Sequence, residues 1–281
     1  MTAHASVARA ERAQPVHIGD HLREWRQRRR MSQLDLAVDA EISTRHLSFV
    51  ESGRSQPSRE MLLHLAERLD VPLRERNLLL VSAGYAPVFA ERPIGDPALT
   101  SARKAIELVL RGHEPYPALA IDRHWTLIAH NRLVPLLLAM ADEELRRPPI
   151  NVLRLSLHPK GLAPRIANLA EWREHLLARL RRQVDITADP LMIELMKELE
   201  RYPRPRSPQP IGSSMEHGAG GVVVPLRLAT PSGVLSFIST TTVFGTPIDI
   251  TLSELALETF FPADPATGDA LHRMAKTSKA L

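Results

Sequence analysis

Cysteine is absent from the 281 residues, which excludes a disulfide framework and any thiolate metal site. Long apolar runs are missing too. The longest, Leu133 to Ala141, is interrupted by Pro135 and falls far short of the roughly 20 residues that span a bilayer. Residues 1–15 mix small, polar and charged types without an apolar segment, and so read as a loose, disordered tail rather than a signal peptide. Catalytic patterns are also wanting. No two histidines form the His-Glu-x-x-His spacing of a zinc hydrolase. Gly218, Gly220 and Gly221 precede a strand, not the helix of a phosphate loop, and the serines form no nucleophile elbow. His158-Pro159-Lys160-Gly161 reads as a turn. The expectation is a non-enzymatic protein of the reducing cytoplasm, with no metal, no cofactor and no membrane contact.

Charge of one sign is scarce overall. The formal net charge is +4, and residues 1–84 carry 13 Lys and Arg against 11 Asp and Glu. Local clustering is more telling: Arg23, Arg26, Arg28, Arg29 and Arg30 fall within eight residues. A run of this kind is ordinarily a solvated face, but here two short helical patterns follow it directly. Leu36, Ala37 and Ala40 form one apolar stripe, Leu47 and Val50 a second, and Ile42 sits in the connection. Ser32 and Ser43 are placed to cap the two helices. With Leu47 and Val50 turned inward, Thr44, Arg45, Ser48 and Phe49 remain on an outer face that can enter a major groove. Arg45 could there bind a guanine edge, while Gln33, opening the earlier helix, and Arg54 would contact the DNA backbone. Phe49 is equally readable as a core residue or as a contact to a thymine methyl. His46 is as readily a spacer as a contact.

These residues carry a resemblance. Residues 19–71 resemble a helix-turn-helix domain of the phage-repressor (Cro/cI, or xenobiotic-response-element) type. The matching positions are Leu22, Arg26, Ser32-Gln33, Leu36-Ala37, Ser43, Glu51, Gly53-Arg54, Pro57 and Leu65-Ala66. The resemblance implies that Arg26 pairs with Glu51, tying the first helix to the recognition helix. It also implies DNA contacts from Gln33, Thr44, Arg45 and Ser48 and from the loop after Glu51. One position departs from the pattern: Glu41 stands where a small residue, often glycine, is usual, so the turn is either built differently or strained. Ser58 caps a fourth helix, Arg59 to Leu69, and Pro72 opens a fifth, Leu73 to Ala83, giving a domain over 16–85 and a proline-bearing linker over 86–97.

From residue 98 to 281 the chain reads as mixed α and β. Helices are expected over 101–111, 131–140, 169–184 and 191–199. Hairpins are expected at 118–129 and at 222–243 around Thr230-Pro231-Ser232-Gly233, with a further strand over 254–261 and a proline-rich connection at 202–210. The natural packing of that order is a small antiparallel sheet with helices over one face. This half resembles the ligand-binding domain of MmyB-like transcription regulators, a PAS-like α+β fold. The resemblance rests on 73–77, 83–87, Trp125, Asn131, 158–162, Asn168, Trp172, 244–247 and 258–264. It implies a regulator that holds a small apolar or acyl-like molecule, such as a fatty acid. Trp125, Arg165, Asn168 and Trp172 are the candidate ligand residues, Arg165 and His175 being able to neutralise an acidic head. A recognition helix this short covers only a few base pairs, so a homodimer on an inverted-repeat operator in double-stranded DNA is expected. Two other readings stay open: an enzyme with a C-terminal catalytic domain and an autoregulatory head, and a C-terminal domain that only dimerises.

Overall fold

The computed structural model describes residues 17–204, 223–231 and 233–277. The expected tail at 1–15, the glycines at 218–221 and parts of the 202–210 and 222–243 expectations lie outside these residues. The chain divides into two compact units after Ala90.

Five helices build the first unit: α1 (Ile18–Arg28), α2 (Gln33–Asp39), α3 (Thr44–Glu51), α4 (Arg59–Arg68) and α5 (Leu73–Ser82). Ser32, Ser43 and Ser58 each accept a bond from a first-turn amide, and Asp35 returns one to the Ser32 amide to complete a capping box. The C-termini follow one rule. Arg30, Glu41, Gly53, Asp70 and Gly84 all take positive φ, and the two amides after each cap close the paired bonds of a Schellman turn. Met31, Ile42, Val71 and Tyr85, each following such a turn, then pack on the core made by Leu22, Leu36, Leu47, Val50, Leu62, Leu65 and Leu80. The Glu41 question is thereby answered: its φ is +54°, so the turn has the left-handed geometry glycine suits and glutamate bears it.

The second unit holds α6 (Thr100–Gly112), β1 (Ala118–Ile121), β2 (Leu127–His130), α7 (Val134–Leu138), α8 (Val152–Leu157), α9 (Leu169–Thr187), α10 (Pro190–Arg201), β3 (Leu226–Thr230), β4 (Gly233–Val243), α11 (Ile250–Ser253), β5 (Ala256–Pro262) and α12 (Pro265–Thr277). The strands form one antiparallel sheet in the order β2-β1-β5-β4-β3. An all-α head followed by this α+β unit is the expected fold class.

Two expectations need correction, and one helix was not foreseen. Helices cover both faces of the sheet, not one. Leu119 and Ile121 of β1 share one core with residues of α9, α10 and α12, while Ala118 and Ala120 share another with Ile106 and Leu110 of α6. The two alanines leave room for a helix close to the sheet. The 131–140 helix shrinks to Val134–Leu138, because Asn131 is buried with its amide donating to the carbonyls of Leu110 and Tyr116 and Pro135 lies in the first turn. Helix α12 was not anticipated, although Asp264 accepts from the Thr267 amide at its start. The 86–97 stretch is held at both ends. Asn77 binds the backbone of Val88 and Phe89, while Arg92 pairs with Asp249.

Candidate functional sites: the recognition helix and an apolar cavity

On α3, Leu47, Val50 and Glu51 are buried, Arg45 is exposed, and Thr44, Ser48 and Phe49 are half-buried. The four candidate readers thus share the outer face. Arg45 and Arg54 approach the Phe49 ring at 5.3 and 5.9 Å to its centroid, so Phe49 sits between two guanidinium groups rather than in the core.

Beneath this face lies the polar joint that holds the helix. Arg26 donates to both Glu51 oxygens, from Nε at 2.7 Å and Nη2 at 2.8 Å, and its Nη1 donates to the Met31 carbonyl. Arg23 donates to the Glu51 carbonyl at 2.7 Å. Burial pushes the Glu51 carboxyl up, but hydrogen bonds from Arg26 and Gln33 and the charges of Arg26 and Arg23 outweigh it and hold the group below the usual carboxylate value. Gln33 donates one amide N–H to Glu51 at 2.8 Å, which ties the start of α2 to the same joint. The arginine run is therefore chiefly structural. Arg29 donates to the Leu69 and Asp70 carbonyls at the end of α4, and Arg28 pairs with Glu24. These partners come from other helices or from one turn away, where a sequence count of charge does not reveal them. Gly19 completes the joint: a Cβ there would stand 2.5 Å from the carbonyl oxygens of Val50 and Glu51.

In the second unit a cavity of about 110 Å³ opens between the sheet and α9. Leu119, Phe237 and Phe260 line it from the strands, and Trp172, Leu176 and Arg179 from α9. Trp125, at φ +65° in the turn after β1, forms part of the wall. A bulky side chain with left-handed backbone is costly, and such costs gather where surrounding structure fixes them. Here the Trp125 indole donates to Gln183 at 2.7 Å, and the Arg179 guanidinium lies 4.8 Å from the ring centroid. The Arg179 Nη atoms donate to Glu258 at 2.6 and 3.3 Å, and Nη2 also to Thr241 at 3.0 Å.

Of the four ligand candidates, Trp125 and Trp172 line the cavity. Arg165 and Asn168 do not. Arg165 is exposed. The Asn168 amide donates to the Pro225 carbonyl and its Oδ1 accepts from the Arg227 amide, clipping the start of α9 to β3. Asn168 and Trp172 share a helix face by spacing, but the strand approaches only the first turn. Sequence reasoning missed Arg179 and Glu258. A signal existed: Arg179 stands seven residues after Trp172 on the apolar face of α9, and Glu258 interrupts an apolar strand. His175 stacks on Trp172 at 5.4 Å; burial, with Arg179 and Arg182 nearby, lowers its pKa. Among the described residues no helix is long and apolar enough to cross a membrane.

Comparison with known proteins bears on both units. The family model for a helix-turn-helix domain matches residues 17–79. A relative from Methanoculleus marisnigri (strain ATCC 35101 / DSM 1498 / JR1), provisionally named an HTH-type transcriptional regulatory protein, is 36% identical over 117 residues. The match takes in 40% of this chain and 37% of that relative. The model for the MmyB-like transcription regulator ligand binding domain matches residues 102–274, more than half of the chain. With its helix-turn-helix head and antiparallel α+β unit, the chain belongs to the MmyB-like transcription regulators.

Proposed function

We propose that the chain is a cytoplasmic, homodimeric regulator that reads an inverted-repeat operator through α3 and responds to a small apolar molecule held in the cavity of the second unit. The observation that supports the DNA reading best is the outward Thr44, Arg45, Ser48 face on a helix fixed from behind by Arg26, Gln33 and Glu51. A rigid reader restricts the geometries a base contact can take, and a dimer adds a second half-site one duplex turn away. Ligand response is supported by the cavity, whose walls are almost wholly apolar; a cavity of about 150 Å³ lined this way holds benzene.

The test begins with selection of bound fragments from genomic DNA by the full chain. The expected product is an inverted repeat. Arg45→Ala should then reduce preference for that operator over random DNA by about 1–3 kcal/mol, whereas Arg54→Ala should weaken both alike. An unchanged specificity ratio in Arg45→Ala would place the reading face elsewhere. A molecule that fills the cavity must also alter operator affinity, since coupling requires different affinities for two conformations. Cavity binding without any such change would reduce the second unit to a binding module.

A further inference from the structure

We propose that the cavity selects an uncharged apolar molecule, and that Glu258 is the residue that excludes a carboxylate head. The inference rests on the reading above that the cavity is the ligand site. Among the described residues its only lining cation is Arg179. That guanidinium is already held by both Glu258 oxygens, with Thr241 donating to Glu258 at 2.9 Å and Trp125 covering the guanidinium face. The Glu258 side chain is 5% exposed. A carboxylate entering here meets a cation already paired with a buried carboxylate. To take the forked pairing that Glu258 holds it must displace Glu258 and leave that charge buried without its partner, and beside Glu258 it stands against a like charge; either costs more than one new ion pair returns. An ammonium head faces the converse problem, since capturing Glu258 strands Arg179. Two hydroxyls remain on the wall. The Ser156 hydroxyl accepts from the Trp172 indole at 3.1 Å, and Ser239 lies on β4 beside Phe237. An alcohol, ester or carbonyl head can use them without moving the ion pair. The acyl expectation thus narrows to uncharged molecules.

The experiment uses the full chain and two matched probes, 1-octanol and sodium octanoate, titrated by calorimetry at pH 7.5. Octanol should bind at least about tenfold more tightly than octanoate. Glu258→Gln frees Arg179, so octanoate should gain about tenfold or more while octanol changes little. Arg179→Met/Glu258→Gln removes both charges, and should keep octanol binding without any gain for octanoate. Should Glu258→Gln not fold, the wild-type ratio and the double variant decide. Octanoate binding the wild type as well as octanol, or gaining nothing from Glu258→Gln, would overturn the inference and leave the cavity reading standing. Binding of neither probe by any form would overturn the cavity reading, and the inference with it.

Discussion

At the scale of single residues, Glu51 has the most to lose. Its side chain is fully buried and meets Arg26, Arg23 and Gln33. Removing one partner of a buried pair costs about 3–5 kcal/mol, because the other charge is stranded. Arg26→Met and Glu51→Leu should each destabilise the head by that order, and the double variant by clearly less than the sum; a calorimetric double-mutant cycle reads the difference. Additive losses would mean the two side chains do not meet. The pH dependence has a definite sign. The folded carboxyl of Glu51 lies below the ordinary value of about 4.3, so its contribution is complete above that pH and lost as pH falls below it. Glu51→Gln should therefore start less stable at neutral pH and lose less on acidification, as melts from pH 7 to pH 3 would show. Phe49 tests the proposed reading face. Its ring holds Arg45 and Arg54 in place, so Phe49→Ala should weaken operator binding by about 0.5–1 kcal/mol and Phe49→Tyr should restore it. Equal loss in both variants would argue for direct contact by the phenyl edge instead.

At the scale of elements, the head owes its connections to a repeated device. Each of its five helices ends on a left-handed residue, and four of these turns are sealed by an apolar side chain that follows. Glycine fills two of the five positions; Arg30, Glu41 and Asp70 fill the rest. For an L-residue this conformation costs about 1–2 kcal/mol, whereas glycine costs about 0.5–1 through the freedom it loses. Glu41→Gly should consequently stabilise the head by up to about 1 kcal/mol, and Glu41→Val should destabilise it, since a β-branched chain tolerates positive φ least. Thermal melts would separate them, and identical midpoints would deny the left-handed turn in solution. The contact of α1 with α3 is equally specific. Gly19→Ala drives a methyl into two carbonyl oxygens, so it should cost about 1–3 kcal/mol and loosen the Arg26–Glu51 joint behind the recognition helix.

For the whole molecule, the proposed operator symmetry carries its own prediction. A head that reads a few base pairs gains affinity from a linked second copy, so cutting the operator to one half-site should weaken binding by about 100-fold or more. Equal binding of half-site and full site in gel-shift titrations would argue for a monomeric reader. What the sequence determined by itself was local. Serine caps at 32, 43 and 58, apolar stripes at helical spacing, and the Thr230-Pro231-Ser232-Gly233 turn signal act within a few residues, and the five helices of the head and the pairings of β1 with β2 and of β3 with β4 followed from them. Tertiary structure decided what depends on partners far apart in the chain. Strand β1 pairs with β5 across well over a hundred residues, α6 crosses to the opposite face, Arg26 and Gln33 converge on Glu51, and Arg179 meets Glu258 across 79 positions. Such contacts arise from chain closure and burial rather than from local preference, and a charge count cannot say which arginine is spent inside the fold. The same physics bonded Arg23 and Arg29 of the basic run to carbonyls of other helices, and placed the charged pair Arg179–Glu258 at the cavity, away from Arg165 and Asn168.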